Sequence, residues 1–250
     1  MDRDTALNGP LPILYAFFVE KLPYVTIAVF LAGTALRLNR WLSAPKDPKG
    51  PRLDPVASIK YIILDVVLFR KTYKTDKPMW LTLVLFHVGA GGILFGHMRG
   101  FHWWSAAMFE PLGHWAAEFM VHTLPVYIGW MFLATQIILL IRRGNLENKQ
   151  LLSLPNDYGA LVLLLITSIL GQGMRIFPPE AIPTEIYSVV FIPGLIVLHL
   201  EKVPSFHWFF WHVLSTQLLV MYIPFSKLVH VISGVITPAI YGSRRQEYGV

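Results

Sequence analysis

Four histidines stand where their chemistry needs explaining. His212 and His230 lie eighteen residues apart in one apolar stretch, HVLSTQLLVMYIPFSKLVH, and His87 and His97 lie ten apart in another, HVGAGGILFGH. An ionisable side chain is expensive inside a bilayer, so imidazoles on membrane spans are functional candidates by default. Paired imidazoles on two helices suit axial ligation of haem iron. Cysteine is absent, which removes disulfides, a thiolate haem ligand and any iron–sulfur cluster held by this chain alone. A cluster, if one is used, belongs to a partner. Without a C-x-x-C-H motif the haems would be non-covalent, of the b type.

The elements that must position these residues follow from composition. The chain has 250 residues, 54% hydrophobic and 14% charged, with a mean hydropathy of +0.52. These values predict an all-α membrane protein of a single domain over residues 1–250. Apolar runs near the ~20 residues needed to cross a bilayer predict five spans: Leu11–Leu38, Met79–Met98, Val121–Ile141, Tyr158–Phe177 and Trp208–Ile232. A sixth run, Ile186–Leu200, is short and contains Pro193, so it reads as a helix at the membrane surface or folded on the bundle. The opening MDRDTALNGPLP lacks a basic n-region and reads as a mature N-terminus.

Basic residues set the orientation. Arg37, Arg40, Lys46, Lys49, Arg52, Lys60, Arg70, Lys71, Lys74 and Lys77 lie between the first two spans, Arg142, Arg143 and Lys149 after the third, and Arg244 and Arg245 after the fifth. That side is expected to be cytoplasmic, which puts the N-terminus outside and the C-terminus inside. The same distribution accounts for the net charge of +6 without nucleic acid. Residues 39–78 form a cytoplasmic connector, SAPKDPKGPRLDP, followed by VASIKYIILDVVLFRKTYK, an expected amphipathic helix for anchoring on lipid or docking a soluble subunit.

Helix geometry then pairs the ligands. Eighteen residues make five turns, about 27 Å, so His212 and His230 are expected on one face; ten residues advance ~15 Å and offset His87 from His97 by about 80°. Spans two and five run in opposite directions. His87 is therefore level with His230 towards the cytoplasm, and His97 with His212 towards the outside. Two six-coordinate haems favour electron transfer over oxygen binding. Gly89, Gly91, Gly92 and Gly96 admit either a close-lying macrocycle or a neighbouring helix; beside the histidines, Gly89, Gly92 and Gly96 are taken as cofactor-binding. Arg99 and Arg175, at the outer ends of spans two and four, are candidates for haem propionates or for a quinone site, with snorkelling as the plainer role. His199 and His207 read as hydrogen-bonded bundle residues, His102, His114 and His122 as interfacial. Trp103, Trp104, Trp115, Trp208 and Trp211 read as an outer aromatic belt.

The pattern H-x-G-x-x-x-x-x-x-G-H in span two, the H-x17-H spacing ending in PFSKLVH, and the early LPYVTIAVFLAGTALR segment resemble the cytochrome b (gamma) subunit of respiratory nitrate reductases and its relatives. The resemblance runs through all five spans. It implies two haems b, the inner on His87 and His230 and the outer on His97 and His212, a quinol site beside the outer haem, and electron exchange with a cytoplasmic iron–sulfur subunit. The longer loop before span two, with DVVLFRKTYKTDKPMW, is closer to cytochromes b serving heterodisulfide-reductase-like subunits of sulfur metabolism than to those serving a nitrate-reductase-beta-like partner. Glu118 stands roughly where the nitrate reductase branch has a quinol-site lysine, leaving His97, Arg99, His114 and Glu118 as quinone-site candidates.

The expectation is thus a quinol/quinone-reactive electron-transfer subunit of an oxidoreductase complex, in a prokaryotic cell membrane, with menaquinone or a similar quinone as substrate. It would not be the catalytic subunit for the terminal substrate. The alternatives are a proton-coupled transporter using histidine relays, which calls for inverted repeats, and a di-iron membrane enzyme, which calls for closely spaced histidine boxes. The chain displays neither.

Overall fold

The structure is a computed structural model that describes residues 14–15, 17–44, 54–145, 155–177, 194, 196, 207–231 and 233–234. Helix α1, Leu22–Leu42, follows a π-helical turn at Phe17–Lys21, with Pro23 in the first turn, where its missing N–H has no partner to lose. The helix thus runs on past the expected end at Leu38, through Asn39 and Arg40 to Leu42, while residues 11–13 lie outside the described residues. Among the described residues five helical stretches are long and apolar enough to span a membrane: Phe17–Leu42, Lys77–Phe101, His114–Gly144, Tyr158–Ile176 and His207–Phe225. Most of the sixth run, Ile186–Leu200, lies outside the described residues, as do residues 45–53 and the chain beyond residue 234.

The amphipathic segment is two helices, not one. Asp54 caps α2 (Pro55–Tyr61), accepting from the amides of Val56 at 2.9 Å and Ala57 at 3.2 Å, and α2 continues as a π turn over Ile62–Val67. At Phe69 the backbone turns left-handed, φ 47°, before α3 (Arg70–Thr75). Asp76 then caps α4 (Lys77–Met98) through the Met79 amide at 2.9 Å and pairs with Arg142. Arg142 belongs to α6 (Leu124–Asn145), which is entered through α5 (His114–Glu118) and a π turn at Phe119–Thr123. Helix α7 spans Pro155–Ile176 and α8 spans His207–Tyr222.

The five long helices pack as an arc in the order α4, α6, α7, α8, α1. Apolar contact has little driving force between helices in lipid, so buried side-chain hydrogen bonds and small residues hold the joints. Gln136 of α6 donates to Ser168 Oγ of α7 at 2.9 Å, Gln172 of α7 donates to the Val126 carbonyl of α6 at 3.1 Å, and Thr26 of α1 donates to Gln217 Oε1 of α8 at 3.2 Å. Among the described residues α4, which carries His87 and His97, and α8, which carries His212 and leads to His230, are not packed neighbours. They face each other across the mouth of the arc.

Helix α8 stops ten residues short of the expected Ile232. Pro224 supplies no amide hydrogen, and its ring would collide with the carbonyl four residues back, a cost of about 3 kcal/mol in a helix interior. The chain instead makes a 3-10 turn at Ile223–Phe225, becomes extended at Ser226, and makes a second 3-10 turn at Lys227–Val229, whose Leu228 amide is capped by Ser226 Oγ at 3.1 Å. His212 and His230 are therefore not on one continuous helix, and the five-turn arithmetic does not describe their separation.

Candidate functional site

The two expected histidine pairs form. His87 of α4 and His230 have ring centres 6.3 Å apart with planes at 73°, and His97 of α4 and His212 of α8 have ring centres 6.3 Å apart with planes at 28°. Metal–imidazole bonds are about 2.0 Å. With the ring centre lying roughly 1.1 Å behind each nitrogen, two imidazoles on opposite sides of one such metal have centres about 6.2 Å apart. The spacing of both pairs fits that value.

Ring orientation supports the same use. His87 Nδ1 lies 2.8 Å from the Leu83 carbonyl, His97 Nδ1 2.8 Å from that of Ile93, His212 Nδ1 3.0 Å from that of Thr167, and His230 Nδ1 2.8 Å from that of Lys227. A carbonyl only accepts, so each Nδ1 carries its proton and donates it. Each Nε2 keeps its lone pair, the tautomer a metal-binding histidine needs. A haem needs only two protein ligands to its iron; among the described residues no group of three or more histidine, aspartate or glutamate side chains forms a separate metal site. The donor set fits haem iron at both levels.

The elements explain why the rings sit there. His87 and His97 bond one turn back on their own helix, so α4 itself supplies the acceptor that holds each Nδ1. His212 instead reaches across to α7, and Gly171 makes room: a β-carbon there would fall 2.9 Å from His212 Cε1. Gly171 escaped the sequence reading, although the G-Q-G triplet inside span four is a signal of close approach. His230 depends on the Pro224 break, since its Nδ1 bonds three residues back within the second 3-10 turn.

The glycines of α4 divide differently from expectation. A β-carbon at Gly89 would be 2.9 Å from Phe132 Cβ, and one at Gly92 would be 2.8 Å from Ile128 Cδ1. Both residues serve the α6 joint. On an ideal helix Gly89, Gly92 and Gly96 lie about 140–200° around from His87 and about 80–140° from His97, and the close contacts of Gly89 and Gly92 are to α6. Gly91 lies about 40° from His87, and a β-carbon there would meet nothing within 4 Å.

The remaining candidates lie near the other end of α4. The Arg99 guanidinium is 5.9 Å from the Trp104 ring centre, and Trp104 stacks on Phe95 at 5.0 Å while its indole N–H donates to the Phe95 carbonyl at 2.7 Å. Glu118 and exposed His114 are on α5, with Glu118 facing His122 at 3.8 Å. Arg175 is in the last turn of α7, one turn beyond Gly171. His207 opens α8 against Trp208, their ring centres 5.6 Å apart; His199 lies outside the described residues.

Five membrane-length helices in an open arc, with two facing imidazole pairs across its mouth, define an all-helical protein of the multi-pass membrane class. Residues 72–246 match the nitrate reductase gamma subunit family, and the chain belongs to that family. It is similar to the Hdr-like menaquinol oxidoreductase cytochrome b-like subunit of Archaeoglobus fulgidus, 26% identical over 246 residues covering 84% of this chain and 74% of the relative. The protein of the same description from Archaeoglobus profundus is 24% identical over 265 residues, 87% of this chain and 75% of the relative.

Proposed function

We propose that the chain is a di-haem b membrane subunit that exchanges electrons between a quinol or quinone at the outer membrane face and a cytoplasmic iron–sulfur subunit. The observation that carries this reading is the twofold recurrence of one arrangement: imidazole pairs at 6.3 Å with every Nδ1 tied to a backbone carbonyl. When bound, the two haems would supply reversible one-electron transfer across the membrane depth.

The chain's own residues do the rest. His87 and His230 hold the inner iron, His97 and His212 the outer one, and the backbone carbonyls fix their tautomers. Arg99, just after α4, and Arg175, in the last turn of α7, are the cations assigned to propionates or a quinone. His114 and Glu118 are candidates for moving quinol protons at the outer face, which would make quinol oxidation electrogenic. The basic ends of α1, α4 and α6 support a cytoplasmic assignment of that side by the positive-inside rule. The relatives are described as menaquinol oxidoreductase subunits of Hdr-like type, which supports menaquinol as substrate, a heterodisulfide-reductase-like partner and a prokaryotic cell membrane.

The test is the visible and redox spectrum of the purified protein with two variants. A reducible b-type spectrum with two haems per chain is expected, with His212→Ala losing the outer haem and His87→Ala the inner. A colourless, iron-free wild type, or full haem content in both variants, would overturn the reading.

A further inference from the structure

Phe69 is the bulky residue whose left-handed backbone interrupts the cytoplasmic-side helices. Its φ is 47°, a conformation that crowds any β-carbon and persists only where surroundings over-determine it. Those surroundings are specific. The Leu68 amide donates to the Ile63 carbonyl at 2.9 Å, the Leu68 carbonyl accepts from the Trp80 indole at 2.8 Å, and the Tyr73 amide donates to the Phe69 carbonyl at 3.0 Å. Arg70 closes the loop on Asp65, Nε and Nη2 both 3.0 Å from Oδ1. The product of this turn is a ring delivered inward: Phe69 lies with its ring centre 4.8 Å from that of His87, tilted by 42°. Phe86 covers His87 as well, at 5.2 Å and 76°.

The two histidine pairs differ in one respect, 73° between planes at His87 and His230 against 28° at His97 and His212. Each Nδ1 bond restrains one edge of the ring but leaves it some rotation about its own Cβ–Cγ bond within the tolerance of a hydrogen bond. A neighbouring aromatic face removes that freedom. We propose that Phe69 is a positioning residue that sets the plane of His87, holding the inner pair of imidazoles near perpendicular. Through it the α2–α3 segment is mechanically joined to the inner ligand. The inference rests on the reading of His87 and His230 as axial ligands.

Mutual plane angle has a direct signature. Perpendicular axial imidazoles leave the two iron dπ orbitals nearly degenerate, which gives a highly anisotropic low-spin electron paramagnetic resonance signal; parallel rings lift the degeneracy and give a rhombic one. The experiment compares oxidised wild type with Phe69→Ala and Phe69→Tyr, measuring spectra and the midpoint potential of each haem. Wild type is expected to show one highly anisotropic and one rhombic signal. Phe69→Ala should move the anisotropic signal towards the rhombic form and shift that haem's potential, leaving the other signal unchanged, and Phe69→Tyr should restore both. Phe69→Gly, which relieves the backbone while removing the ring, should reproduce the spectral change of Phe69→Ala. If wild type carries two haems and Phe69→Ala leaves both signals and potentials unaltered, the positioning role is wrong while the haem assignment stands. If wild type binds no haem, the underlying assignment is what fails.

Discussion

Arg37 of α1 donates from Nε to the backbone carbonyl of Pro224, at 2.8 Å, and so ties the first long helix to the point where the last one breaks. One turn earlier Gly33 makes the approach possible, since a β-carbon there would lie 2.8 Å from Pro224 Cβ and 2.9 Å from Phe225 Cζ. Together they fix where the 3-10 turns begin, and with them the place of His230.

Gly33→Leu should therefore disturb the inner haem and spare the outer. Overpacking of this kind costs about 1–3 kcal/mol, and Arg37→Ala, which removes a charge-assisted hydrogen bond, about 1.5–3 kcal/mol. Haem content and thermal unfolding in detergent are the measurements. Loss of the outer haem first would contradict the assignment of His230 to the inner pair.

Gly171→Ala should weaken retention of the outer haem, because the added methyl displaces the His212 ring from the Thr167 carbonyl. Losing such an orienting contact typically costs 10–100-fold in metal affinity. Gly173→Ala is the control: its β-carbon would crowd Trp208, 2.7 Å from Cε3, on the same helix pair but away from the ligand. Equal haem loss in both variants would reduce Gly171 to ordinary packing.

Asp76 has two roles that substitution separates. Asp76→Ala removes the cap of α4 and should cost about 1 kcal/mol. Asp76→Asn keeps an accepting oxygen for the Met79 amide and gives up only the charge opposite Arg142, a partly exposed pair of small net worth. Thermal melts should rank wild type and Asp76→Asn close together, with Asp76→Ala lower; the reverse order would make the ion pair the dominant contact.

Replacing Arg70, Lys71 and Lys74 together by alanine should release the iron–sulfur partner at lower salt than wild type while both haems remain. Salt-dependent co-purification measures it. A complex that survives high salt unchanged in the triple variant would move the docking surface elsewhere, leaving the basic residues to membrane orientation and anionic lipid.

The histidine pairing was legible in the sequence because it needs only span order and depth: antiparallel crossing makes the early ligand of one helix level with the late ligand of the other. The five spans were legible from length and hydropathy, while the end of α1 was not, since the helix continues past Leu38 through polar Asn39 and Arg40. The glycine roles were not, since α4 is apolar all round and no polar stripe marks which side meets α6. Pro224 was visible, yet a helix count running from His212 to His230 passed through it. The left-handed turn at Phe69 has no local sequence mark, because neighbours rather than residue type impose it.

The arc has an energetic corollary. Among the described residues the long helix packed against α4 is α6, whereas the ligand side of α4 faces His212 of α8 and, beyond that helix, His230. Iron between the facing histidines would act as a keystone, turning an open row of helices into a closed ring. A ligand at a hundred times its dissociation constant adds about 2.7 kcal/mol to the state that binds it, and here that increment falls on the hinge between α4 and the rest. On the di-haem reading the row would assemble first and lock only when a flat cofactor is bound at its mouth.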